Sequence, residues 1–92
     1  MIPSLTVVFT AKLWRYPGKG GWHFVTLPDK YSPPVTHGWG RTPVMATVDG
    51  HEWITSVWRG KRGRSVLAVP KHVRGVKRVG DPMKVRLTFD SL

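Results

Sequence analysis

The sequence has no cysteine, few acidic residues and no long hydrophobic run. The absence of Cys excludes disulfide bonds and thiolate metal sites, which fits a reducing compartment. The N-terminal stretch has no basic leader region and no apolar run long enough to cross a bilayer. We therefore expect no signal peptide, no membrane span and a cytoplasmic location.

The scarcity of acidic residues makes the chain strongly basic. Fifteen Lys and Arg residues stand against five Asp and Glu residues, for a net charge of +10 with His neutral. Residues 59–92 hold ten of the fifteen basic residues but two of the five acids. This asymmetry indicates an anionic partner such as nucleic acid, whereas the alternative interpretation is a solvated basic surface.

The hydrophobic pattern predicts a mainly β protein. The 92 residues suffice for one domain, spanning residues 1–92. Alternating or β-branched runs predict six strands, at residues 5–13, 22–27, 41–48, 51–58, 65–69 and 83–90. Short strands at this spacing, without a long crossover, indicate a small closed or nearly closed β-barrel.

Two local signals fix details of this fold. Asp49-Gly50 lies between β-branched and aromatic runs, which predicts a two-residue hairpin turn with Ala46 opposite Trp53. Pro70 suits the first position of a short helix at about 70–78. In that helix, Val69, Val73 and Val76 would form one apolar stripe, and Gly75 would limit it to one or two turns.

Several motifs in the chain resemble one known family. FTAKLW at 9–14, GWHFVTLP at 21–28, residues 44–50, LAVPK at 67–71 with Val73-Arg74, and Gly80-Asp81 resemble the bacterial family called domain of unknown function 1905. The resemblance covers nearly the whole chain and implies a small β-barrel in a bacterial, cytoplasmic protein. It supplies no catalytic residues. Family members often have a helical turn between the second and third strands, and Ser32-Pro33-Pro34 departs from that pattern.

A looser likeness is confined to residues 66–89. Residues 69–74, Val79-Gly80-Asp81 and Val85 are similar to the half-barrel repeat of swapped-hairpin transition-state regulators, which are DNA-binding dimers.

Two sets of side chains are the candidate binding residues. The basic set, which could contact phosphates, consists of Arg59, Lys61, Arg62, Arg64, Lys71, Arg74, Lys77 and Arg78. Among the aromatic residues, we interpret Trp22 and Trp53 as core, and Trp39 and Trp58 as candidates for surface contacts.

The sequence gives little support for catalysis or for metal binding. The four His residues show no ligand-like spacing, and no cofactor motif is present, so we expect neither a metal nor a cofactor. Glu52 is the one acid in the middle of a predicted strand, and adjacent His51 faces the opposite way, so we predict no catalytic residue.

Three functions remain as hypotheses. The leading one is a non-enzymatic binding or interaction module whose ligand is open. The alternative is sequence-tolerant binding of DNA or RNA through the basic segment 59–86. The weakest is an enzyme with a pocket under the irregular loop at 29–40, where Pro33-Pro34 prevents a continuous helix.

Overall fold

Antiparallel strands make up most of the molecule. The computed structural model describes residues 4–36, 38–60 and 63–90, apart from the side chains of Trp39 and Asp90. In these residues the strands are β1 Ser4–Lys12, β2 Trp14–Arg15, β3 His23–Thr26, β4 Arg41–Val48, β5 His51–Arg59, β6 Ser65–Ala68 and β7 Pro82–Asp90. The helical elements are two 3-10 turns, Asp29–Tyr31 and Gly38–Gly40, and the helix α1 Lys71–Arg74.

The strands form one sheet in the order β1-β7-β4-β5-β6-β3-β2. Every neighbouring pair is antiparallel. The sheet is an open half-barrel with β1 at one edge and β2 at the other. These two edge strands are nevertheless consecutive in the chain, because Leu13 alone separates them.

The prediction of a closed barrel with about six strands is therefore corrected. The predicted first strand continues beyond Leu13 but changes its partner there: β1 pairs with β7, whereas β2 pairs with β3. At the change, the N–H of Leu13 donates to the carbonyl of Asp81 at 2.9 Å, and its carbonyl accepts from the N–H of Gly80 at 2.8 Å. The strand thus divides into two, and the sheet remains open between them. The mainly β class and the single short helix are confirmed.

The hairpin between β4 and β5 has the predicted turn and register. Asp49 and Gly50 have φ values of 47° and 87°, so both turn residues are in the left-handed region that a type I′ turn requires. Ala46 lies opposite Trp53, as predicted. Ala46 is fully buried, and Trp53 packs against the core.

The helix is shorter than predicted. It ends at Gly75, whose φ of 53° takes the chain out of the helix. Val69 and Val73 are buried, but Val76 is 95% exposed, so its assignment to the apolar stripe is wrong. Because the helix stops after one turn, the i+7 spacing no longer places Val76 on the same face as Val69. No helix in the described part of the chain is long and apolar enough to cross a membrane.

The core lies on the inner face of the sheet. Inward-facing residues of β7 alternate as predicted: Met83, Val85, Leu87 and Phe89 are buried. They join a cluster of twelve further buried apolar residues: Val7, Phe9, Leu13, Val25, Leu27, Val44, Ala46, Val48, Val57, Leu67, Val69 and Val73. This inner layer positions β3, β5 and β6, whose outer faces carry the site described below.

The segment after β3 begins with a helical turn and continues extended. The 3-10 turn Asp29–Tyr31 precedes the prolines, and Ser32 through Thr36 have no regular structure. The ring of Tyr31 stacks on Phe9, with centroids 6.2 Å apart. A helical turn therefore does follow β3, and the two prolines come after it rather than inside it.

We predict that Leu87→Ala strongly destabilises the fold. Leu87 is fully buried and lies between Val7 on β1 and Ala46 on β4. Its truncation should lower the free energy of unfolding by about 2–5 kcal/mol, because it removes apolar contacts and leaves a cavity. Urea denaturation followed by circular dichroism measures this loss.

The matched control is Ile54→Ala, since Ile54 lies on β5 and is 77% exposed. Its free energy of unfolding should change by no more than about 0.5 kcal/mol. Equal effects of the two substitutions would show that the inner face of the sheet is not the core.

Candidate functional site

The sheet carries apolar residues on both faces at β3, β6 and β5. In β3, Val25 points into the core, and Phe24 is on the outer face. Residues directly opposite in an antiparallel pair share a face, so Phe24 lies beside Ala68 on β6. By the same rule, Val66 on β6 lies beside Trp58 on β5. The outer surface at these four positions of β3, β6 and β5 is therefore apolar and aromatic.

Aromatic rings surround Phe24 on this surface. Its ring centroid lies 5.1 Å from Trp14, 6.4 Å from Tyr16 and 6.4 Å from Trp22. The Trp22 ring is stacked at an interplanar angle of 20°, and the Tyr16 ring meets Phe24 edge-on at 72°. These are the offset and edge-to-face arrangements that aromatic pairs prefer. The indole N–H of Trp14 is satisfied by the hydroxyl of Thr26 at 2.9 Å.

A cavity of about 380 Å³ opens at this cluster. We name it the aromatic cavity, and its lining residues are Tyr16, Trp22, Phe24, Trp58, Val66 and Ala68. Three of these rings are largely open to solvent: Tyr16 is 55% exposed, Trp22 60% and Trp58 40%. Its volume falls within the range of about 300–1,000 Å³ that small-molecule sites occupy.

The burial of the tryptophans bears on two of the predictions made for them. The assignment of Trp22 to the core is wrong, because Trp22 shares the outer face with Phe24 while Val25 and Leu27 fill the core. Trp58 is exposed, in agreement with its choice as a surface residue. The side chain of Trp39 lies outside the described residues, so its surface role stays a prediction.

A close approach between backbone and indole positions Trp22. Gly20 has a φ of +99°, and a Cβ atom built on it would lie 3.1 Å from Cδ1 of Trp22. A residue with a side chain would thus be strained in its backbone and would also displace the indole. The loop is closed by the N–H of Tyr16, which donates to the carbonyl of Trp22 at 2.8 Å.

A second cavity, of about 480 Å³, adjoins the first. We name it the basic cavity, and it is lined by residues 20–23, residues 68–71 and Arg74. Its two cationic groups are those of Lys71, which is exposed, and Arg74, which donates to the carbonyl of Val69 at 3.1 Å. Trp22 and Ala68 line both cavities. The aromatic and basic surfaces are therefore continuous.

The structure brings together only part of the predicted basic set. Lys71 and Arg74 share the basic cavity. Lys77 lies elsewhere, where its ammonium group donates to the carbonyl of Pro82 at 3.1 Å and is 3.9 Å from the carboxylate of Asp49. Arg64 and Arg78 are exposed. Lys61 and Arg62 lie outside the described residues.

Arg59 holds a neighbouring loop in place. Its guanidinium donates to the carbonyl of Pro33 at 2.9 Å and to the hydroxyl of Ser32 at 3.2 Å. The hydroxyl of Ser32 also hydrogen-bonds to that of Ser65, which is buried on β6. Arg59 therefore has a structural role, because it holds the loop through these bonds. Its position in a run of basic residues did not predict this role.

Asp49 and Asp81 are hydrogen-bonded to the backbone in turns. Asp49 accepts a hydrogen bond from the N–H of Lys84 at 2.9 Å, and Asp81 accepts one from the N–H of Arg78 at 2.8 Å. Neither cavity has an Asp or Glu among its lining residues. The cations of the basic cavity are therefore not neutralised by adjacent acids.

Comparison with known families identifies the chain. The model of the family described as Domain of unknown function (DUF1905) matches residues 9–89. The chain belongs to this family. The resemblance inferred from the sequence motifs is thus confirmed. No curated protein matches the chain.

Both cavities lie inside the matched part of the DUF1905 domain. The residues that line them run from Tyr16 to Arg74, within the span 9–89. The continuous aromatic and basic surface is accordingly part of the family domain itself rather than of a flanking segment.

A third cavity, of about 390 Å³, lies beside the 29–40 loop of the DUF1905 domain. Residues 5–7, residues 30–34 and Phe89 line it. Its lining includes no carboxylate and no imidazole, and the hydroxyls of Thr6 and Ser32 are bonded to Thr88 and Ser65. The ionisable side chains in its lining are those of Lys30 and Tyr31, and the ammonium nitrogen of Lys30 lies 5.0 Å from the centroid of the Tyr31 ring. Among the residues that the structure describes, no cluster of three His, Cys, Asp or Glu could hold a metal ion.

We predict that Arg59→Ala loosens the 29–40 loop. The substitution removes two hydrogen bonds to Ser32 and Pro33, each worth about 1 kcal/mol. Trypsin should therefore cleave after Lys30 several-fold faster than in the unmodified protein, as followed by mass spectrometry.

Arg64→Ala is the matched control, because it removes the same charge from an exposed position. It should leave the rate of cleavage after Lys30 unchanged. The same rate in the Arg59 variant and the unmodified protein would show that Arg59 does not hold the loop.

Proposed function

We propose that this DUF1905 domain is a non-enzymatic binding module whose ligand docks in the aromatic cavity. The observation that carries the proposal is the exposure of Trp22 and Trp58 around an apolar floor. Burial of an aromatic side chain covers about 150–250 Å² and contributes strongly to stability in a small domain. Exposed aromatic groups gathered in one concave patch are typical of interaction sites.

The chemistry of the lining favours binding over reaction. The residues that line the aromatic cavity include no carboxylate and no imidazole, and their one ionisable group is the phenol of Tyr16. Its rings present flat faces and edges, which suit a planar apolar group. The adjoining cations of Lys71 and Arg74 suit a negative charge on the same ligand. We also propose that this module belongs to a bacterial protein and has a cytoplasmic location, which the absence of Cys supports.

The dye 8-anilinonaphthalene-1-sulfonate tests the aromatic cavity, because it combines planar rings with one negative charge. We predict that its fluorescence rises on titration with the folded protein. Trp22→Ala and Trp58→Ala should each weaken its affinity roughly 2- to 10-fold, the loss of one aromatic contact.

Ile54→Ala is the control, since it removes an exposed apolar side chain from the same face of the sheet outside the cavity. Its affinity for the dye should equal that of the unmodified protein. Circular dichroism melting curves confirm that each variant is folded. Equal dye binding by the tryptophan variants and the unmodified protein would refute a site at the aromatic cavity.

A further inference from the structure

The two cavities form one groove because they share two residues. Trp22 and Ala68 line both, so the aromatic half and the basic half are adjacent and share these two side chains. We name this surface the aromatic–basic groove. Its aromatic half offers stacking faces, and its basic half offers the cations of Lys71 and Arg74. A ligand that fills both halves has a flat ring system and an anionic group next to it.

A further cation extends the groove at its other end. The N–H of Gly60 donates to the carbonyl of Arg64 at 2.8 Å, which continues the β5–β6 ladder by one pair beyond Ser65. Because side chains alternate along a strand, this pairing puts exposed Arg64 on the same outer face as Val66. The aromatic cavity is thus flanked by positive charge on both sides, along the direction of β6.

The length of the groove favours a polymer over a single nucleotide. A strand advances about 3.3 Å per residue, so Arg64 and Pro70 are roughly 20 Å apart along β6 and its extended continuation. That distance spans several nucleotides of an extended chain. The alternation of cation, aromatic surface and cation matches an anionic backbone with bases beside it.

The charge of the molecule supports the same class of ligand. The net charge of +10 attracts a polyanion at long range. Asp49 and Asp81 accept hydrogen bonds from the backbone in turns, so these negative charges are held away from the groove. Duplexes fit the site less well, because their bases are stacked on each other and cannot lie against Trp22 or Phe24.

We propose that the aromatic–basic groove binds single-stranded nucleic acid. Bases stack on the rings of Trp22 and Trp58, and the backbone phosphates contact Lys71 and Arg74. Binding of this kind tolerates sequence changes, since every base has a face that can stack. The inference rests on the proposed function and names its ligand class. Within the predicted basic segment 59–86, the inference assigns phosphate contacts only to those cations that border the aromatic cavity.

Fluorescence anisotropy with labelled 12-mers of deoxythymidine and of uridine tests this inference. Binding should weaken as salt rises, and Trp22→Ala should lower the affinity roughly 5- to 100-fold through lost stacking. The double substitution K71A/R74A should reduce the slope of log affinity against log salt by about 1.4, because each phosphate contact to a single strand contributes about 0.7.

The matched control is K84A/R86A, which removes the same two charges from exposed positions on β7. Its salt slope should stay within experimental error of the unmodified protein. Because Arg74 also bonds to the carbonyl of Val69, the single variants K71A and R74K accompany the double variant: K71A should lower the slope by about 0.7, and R74K should retain it. Melting curves establish that all variants are folded.

Four results would overturn the inference. Equal losses from K71A/R74A and K84A/R86A would show attraction by overall charge, as the broad segment 59–86 predicts. Duplex DNA bound as tightly as the single strand would exclude stacking. Displacement of the 12-mer by thymidine monophosphate at an equal concentration would assign the groove to a mononucleotide. No binding at low salt would remove nucleic acid altogether.

The dye experiment separates this inference from the proposed function. If the dye binds at Trp22 and Trp58 but the 12-mers do not bind, the aromatic cavity is a binding site for another ligand class. If neither binds, both the ligand class and the site are refuted.

Discussion

A small sheet has two faces, and this chain is too short to cover both of them. The inner face is closed by side chains of the sheet itself, with Leu67, Met83 and Leu87 fully buried. The helix α1 is a single turn and covers little of the surface. The outer face of β3, β5 and β6 therefore remains uncovered, although Phe24, Val66 and Trp58 on it are apolar or aromatic. The aromatic cavity is exposed and available to a ligand because this face of the sheet is uncovered.

The positions of the charged side chains also follow from the small size of the chain. Short loops are held by polar side chains, among them two acids: Asp49 bonds to β7 near its start, and Asp81 closes the turn before the same strand. Arg59 and Lys77 are also engaged by the protein's own carbonyls. Arg74, which lines the groove, likewise donates to the carbonyl of Val69, so a count of charges along the chain does not show which cations have structural roles.

The sequence predicted those features that rest on local chemistry. The turn at Asp49-Gly50 and its register follow from residues adjacent in the chain, as does the alternation of β7. Features that depend on distant partners were missed. Trp22 and Leu27 are both apolar, so the pattern of β3 alone does not reveal which face meets the core. The break at Leu13 depends on bonds to Gly80 and Asp81. Likewise, Trp22 and Lys71 are distant in the sequence and line the same cavity only in the folded chain.

The division at Leu13 joins the two free edges of the sheet. Both edges belong to one continuous segment of chain, and they separate at Leu13. The strand β2 carries Trp14 and leads to Tyr16, whereas β1 is paired with β7. Leu13 is buried, and both its N–H and its carbonyl are hydrogen-bonded to the turn before β7. The segment that leads to the rings on the outer surface therefore starts from a residue that the core holds in place.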